Sequence, residues 1–140
     1  MEQKNQVVSL EYAKKMKELR FEQESYFYWV NDFMGWTIRD KQEADCIACE
    51  DVRASKLSAY TVAELGEMLP YYLWVDEPKS NPPQEYYYDL KITKTKTLKY
   101  IISYAGANIY HTELPHQEND FSEADARAKM LIYLKENKLI

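Results

Sequence analysis

Glycine is almost missing from this 140-residue chain, which holds only three. Loops that cradle phosphate need several glycines to bring backbone N–H groups against the ligand, and neither GxGxxG nor a Walker-type motif is present. No GxSxG elbow presents a serine nucleophile either. Two cysteines are too few for a disulfide framework. No apolar run approaches the ~20 residues of a membrane span. The opening Met1-Glu2-Gln3-Lys4-Asn5-Gln6 lacks the apolar segment of a secretory signal. These absences lead us to expect a protein of a reducing cytoplasm, without a structural disulfide. Basic residues are not in excess: 18 Lys and Arg stand against 23 Asp and Glu, a net charge of −5, which works against nonspecific nucleic-acid binding.

What the chain does contain suits a globular domain. Its length matches the common size of one domain, so a single unit over residues 1–140 is expected. A balance of 46% hydrophobic and 29% charged residues can fill a core and solvate its surface. Tyrosine is in excess at thirteen, beside three Trp and four Phe. A buried phenol must find a hydrogen-bond partner, so some of these rings are expected at the surface, where rigid amphipathic side chains anchor contacts.

Periodicity supplies the elements. Leu10, Ala13, Met16 and Leu19 recur at helical spacing after Ser9, a candidate N-cap, and predict a helix over 9–20. Ser25-Tyr26-Phe27-Tyr28-Trp29-Val30 reads as a strand apolar on both faces, paired across a turn at Asn31–Gly35 with Trp36-Thr37-Ile38-Arg39. Lys41–Asp51 reads as a short helix on its Ala44, Ile47, Ala48 stripe. Thr61-Val62-Ala63-Glu64 is a capping box opening a helix that Pro70 stops. Pro78–Pro83 reads as a loop. Beyond it the period is two: Tyr86, Tyr88, Leu90 and Ile92, then Leu98, Tyr100, Ile102 and Tyr104, then a turn at Ala105–Asn108 and a third strand at Ile109–Glu113. A last helix starts at Ser122, with Asp125 as its box partner. The pattern predicts an α+β fold: an antiparallel sheet with a C-terminal three-stranded meander, and helices packed on one face.

Four blocks carry a resemblance. Val8–Leu19, Gln23–Trp29, Thr61–Pro70 and Glu123–Leu134 are similar, in order and spacing, to the recurring blocks of a family of small uncharacterised phage and prophage proteins. The likeness spans the chain except residues 31–58 and 75–97. It implies a gene carried by a bacterial virus or mobile element, and it supplies no catalytic residues.

Candidate sites are few. Cys46 and Cys49 form a CxxC, His111 and His116 an HxxxxH, and each pair suits half of a tetrahedral zinc site. The interval between the pairs far exceeds that of a small finger, and Asp45, Glu50 and Asp51 give the thiols acidic neighbours where a redox pair needs an electropositive setting. Free thiols and ordinary histidines are therefore expected, with no metal and no cofactor. Tyr86-Tyr87-Tyr88 with Lys91, Lys94, Lys96 and Lys99 resembles a base-stacking surface, but the lysines suit an exposed hairpin turn better. Tyr71, Tyr72 and Trp74, with Tyr86 and Tyr87, are the candidates for a partner-binding surface; for Tyr71–Val75 a central, buried strand is the simpler expectation. The composite expectation is a non-enzymatic phage accessory protein that binds a bacterial protein, with host-defence inhibition, of a CRISPR effector for example, as its concrete form. A nucleic-acid-binding or zinc-stapled module and a small enzyme are the alternatives. Oligomeric state stays open, a homodimer included.

Overall fold

The computed structural model describes residues 6–50, 54–77, 84–108 and 111–140, and within these the side chains at 74–77, 84–87, 105–108 and 111–116 are outside the description. The predicted loop at Pro78–Pro83, Asp51 and Ile109 also lie outside it. Among the described residues four helices and seven strands follow in the order α1 (Leu10–Glu18), β1 (Phe27–Asp32), β2 (Gly35–Asp40), α2 (Lys41–Glu50), β3 (Ser55–Ser58), α3 (Val62–Met68), β4 (Tyr72–Glu77), β5 (Gln84–Lys94), β6 (Tyr100–Asn108), β7 (His111–Asp120) and α4 (Glu123–Glu136). The fold is α+β, and its antiparallel strands divide between two sheets, ordered β2-β1-β3 and β4-β5-β6-β7. The predicted meander is present and gains β4 as a fourth strand.

β1 is central in the smaller sheet, and both of its faces are used. Tyr28 and Val30 pack with Ala44 and Ile47 of α2. Trp29 turns the other way, beside its cross-strand partner Leu57, into the main core. An apolar run without alternation is what two buried faces require. The hairpin to β2 closes through Phe33 and Met34, with the Asp32 carboxylate accepting the Met34 N–H at 2.7 Å and Gly35 at φ +93 completing the turn.

α4 lies on β6 and β7 and supplies the centre of the main core, where Met130, Leu131 and Leu134 meet Met16, Leu57, Leu65, Leu73, Ile102 and Tyr104. α1 and α3 pack against α4, so residues of both sheets share one cluster. Tyr104 is buried with its hydroxyl donating to the Pro70 carbonyl at 2.7 Å, and burial pushes its phenol pKa well above the ordinary value.

Several local expectations are corrected. Ala105–Asn108 is not a turn but the end of β6, and the next strand runs over His111–Asp120. The register shifts between Ser103 and Ala105 and again before Asn108, the irregularity that small residues permit inside a strand. β7 is a sheet edge, which is where a strand containing Pro115 can sit. The capping boxes also differ. Thr61 and Glu64 make both reciprocal bonds, as expected. Ser122 Oγ accepts the Asp125 N–H at 3.3 Å, but the Asp125 carboxylate does not return to Ser122; the Ser122 N–H goes to Asp120 Oδ1 at 3.2 Å. Asp125 instead accepts the Ser9 N–H at 2.7 Å, across 116 residues of sequence. Ser9 makes no side-chain cap bond to its own helix.

Candidate functional site

Tyr71 and Tyr72 follow Pro70 at the start of β4, and they are 74% and 60% exposed. Leu73, one residue on, is buried against Tyr88 and the main core. The buried-strand expectation therefore holds at Leu73 and fails at the two tyrosines, because β4 is an outer strand and Tyr71 precedes it. The β4–β5 ladder also assembles the other candidates. Tyr72 stands opposite Asp89, Trp74 opposite Tyr87 and Val75 opposite Tyr86. Residues separated by more than ten positions in the chain thus become direct cross-strand neighbours. The Leu90 N–H donates to the Tyr71 carbonyl at 2.9 Å and fixes the register at that end.

The two metal-ligand pairs are carried on elements packed in different places. α2 lies against β1, β2 and β3, whereas β7 lies against β6 and α4. Cys46 and Cys49 are exposed on α2 because Ala44 and Ile47 take its inner face. His111 and His116 are in β7, with side chains outside the description. Among the described residues no group of three or more His, Cys, Asp or Glu could hold a metal ion.

Two of the four lysines of the base-stacking candidate have local partners. Lys94 lies over the Tyr100 ring at 5.0 Å and Lys99 over Phe121 at 5.0 Å. Tyr88 is buried. Elsewhere Lys56 covers Tyr28 at 4.2 Å while bonding Asp45, and Lys129 lies 5.5 Å over Tyr12. Such contacts cover the faces of the half-buried Tyr100 and Tyr12 rings.

Two of the grooves among the described residues flank helices. One, of about 450 Å³, runs between Glu22–Tyr26 and α3, and is lined by Glu22, Glu24, Tyr26, Glu64 and Glu67. Its carboxylates are partly structural: Glu64 Oε1 accepts the Tyr26 N–H at 3.0 Å, and Oε2 accepts the Thr61 N–H at 2.8 Å. Buried Tyr60 donates to the Glu22 carbonyl, and burial pushes its phenol pKa up to about 12. The other groove, of about 560 Å³, lies between α1 and α4 and is crossed by a Lys15–Glu136 ion pair of 3.0 Å. At its side Lys129 pairs with Asp120 at 2.8 Å; burial would lower the ammonium pKa, but the hydrogen bond and charge of Asp120 outweigh it and hold the value raised.

Sequence reasoning missed two exposed features. Phe33, at 93% exposure, and Met34 form the tip of the β1–β2 hairpin, and Tyr26 rims the acidic groove. Counting back from Gly35 would have found the tip, since a two-residue loop leaves Phe33 and Met34 no core to reach. Comparison of the chain with family models, curated proteins and solved structures gives no match.

Proposed function

We propose that this chain is a non-enzymatic accessory protein of a phage or prophage that acts by binding a bacterial protein. The observation that carries this reading is the pair Tyr71–Tyr72, two large rings held in water at the outer strand of a sheet whose inner face is packed. Tyrosine supplies contact area at low entropic cost, and exposed pairs on a rigid element serve as interface anchors. The resemblance of four sequence blocks to phage and prophage proteins supports a bacterial partner. A host-defence nuclease, such as a CRISPR effector, is the concrete form we put forward.

The test is recovery of a bacterial partner by the tagged protein from host lysate, followed by purified binding of that partner to wild type and to Tyr71→Ala/Tyr72→Ala. One specific partner is expected, with affinity reduced about tenfold or more in the double variant. Loss of both anchors without any change in affinity would remove Tyr71 and Tyr72 from the interface. Recovery of nothing specific, even at low salt, would defeat the reading itself.

A further inference from the structure

We infer that Cys46 and Cys49 form a two-thiolate site on α2 for a soft monovalent metal ion of the copper(I) class. They are the only cysteines of the chain, and both are free and exposed. Cysteine is among the residue types most often buried, so packing does not account for two on one outer face. Ala44 and Ile47 take the inner face of α2, against Tyr28 and Val30. Positions three apart on a helix are surface neighbours, which turns both thiols to the same side.

The platform beneath them is fixed. At the start of α2 the Asp40 carboxylate accepts the Glu43 N–H at 2.9 Å, and Lys56 of β3 pairs with Asp45 at 2.5 Å. Glu43 and Glu50 flank Cys46 one turn away on either side, and Asp45 precedes Cys49 by a turn. Acidic neighbours favour a cation at this face.

Distance decides between a metal ion and a disulfide. Cβ atoms three residues apart on a helix lie about 5–6 Å from each other. A disulfide holds them at about 3.5–4.5 Å, so closing one would distort the last turn of α2. An ion set between the two sulfurs spans the wider gap and leaves the helix intact. Coordination number then selects the ion. Structural zinc takes four ligands, and among the described residues no group of three or more His, Cys, Asp or Glu could supply them. Copper(I) is soft, prefers thiolates and is satisfied by two of them. On binding, each S–H bond is replaced by an S–metal bond, two protons leave to solvent, and the ion keeps its oxidation state. The site lies on the helix of the smaller sheet and is independent of the protein-binding reading built on Tyr71 and Tyr72.

The test titrates copper(I) anaerobically into the full, reduced chain against a chromophoric copper(I) chelator, with ultraviolet thiolate–metal absorption as a second readout. One ion per chain is expected, with circular dichroism unchanged. Cys46→Ser and Cys49→Ser are each expected to weaken binding about 100-fold or more, since either one removes the chelate. If a variant unfolds, wild type with both thiols blocked by iodoacetamide decides the same question. No copper(I) drawn from the chelator, or binding that survives serine substitution or blocking, would overturn the inference. One ion per two chains, with a dimer in solution, would place the site between copies and overturn it as well. So would zinc held as tightly as copper(I).

Discussion

Arg20 and Lys138 sit in the left-handed region, at φ 62 and 56, immediately after the caps of α1 and α4. Both helices end in the same pattern. The Phe21 N–H reaches the Met16 carbonyl at 3.0 Å and the Arg20 N–H the Lys17 carbonyl at 2.9 Å; Leu139 reaches Leu134 at 2.8 Å and Lys138 reaches Lys135 at 3.2 Å. This is a Schellman closure, normally built on glycine, and the apolar residue that follows each closure packs onto the core. A chain with three glycines places a long cationic side chain there instead. The left-handed conformation costs a non-glycine residue about 1 kcal/mol. We predict that Arg20→Gly and Lys138→Gly each raise stability by about 0.5–1 kcal/mol, measured by urea unfolding.

Helix starts obey a different economy from helix ends, since here two helices share one acid. Asp125, in the first turn of α4, accepts the Ser9 N–H at the head of α1 and so joins elements from opposite ends of the chain. Burial raises its pKa, the Ser9 hydrogen bonds partly offset that, and Asp120 raises it further against Lys129. The folded state therefore holds this proton more tightly than the unfolded chain does. Its contribution favours folding at low pH and is lost as pH rises through the folded pKa. Asparagine keeps the acceptor for Ser9 without the charge. The stability of Asp125→Asn relative to wild type is therefore expected to grow as pH rises from the ordinary carboxylate range through the raised folded pKa and then level off, as read from urea unfolding at stepped pH. Asp120 is the opposite case, with Lys129 and the Ser122 N–H holding its pKa below the ordinary value against burial. Its coupling to Asp125 is part of what the comparison reads.

At the scale of the whole molecule, two sheets share one interior. Leu57 from the smaller sheet and Leu73, Ile102 and Tyr104 from the larger one belong to the same buried cluster as α4. Neither sheet can lose its partner without exposing that cluster to water, and burial of apolar area is the main favourable term in folding. Unfolding is therefore expected to be a single cooperative step. Tryptophan fluorescence, which reports on Trp29 and Trp36 in one sheet and Trp74 in the other, should trace the same urea transition as far-ultraviolet circular dichroism. Two separated transitions would mean that the sheets are independent units.

Much of this architecture was legible in the residues. Helical spacing located α1, α3 and α4, the Thr61–Glu64 box marked where α3 begins, and an apolar run without alternation announced that β1 would be covered on both faces, because each of these signals acts over a few neighbouring residues. Composition likewise required tyrosines at the surface. Tertiary structure decided what depends on partners distant in sequence. It gave Asp125 to Ser9 in preference to the nearby Ser122 N–H, carried β6 through Ala105–Asn108 by pairing small residues with β7, and set β4 on the outside of its sheet. A strand's sequence records which of its faces is apolar, but a neighbour is made by the whole chain, and that alone determined that Tyr71 and Tyr72 meet water.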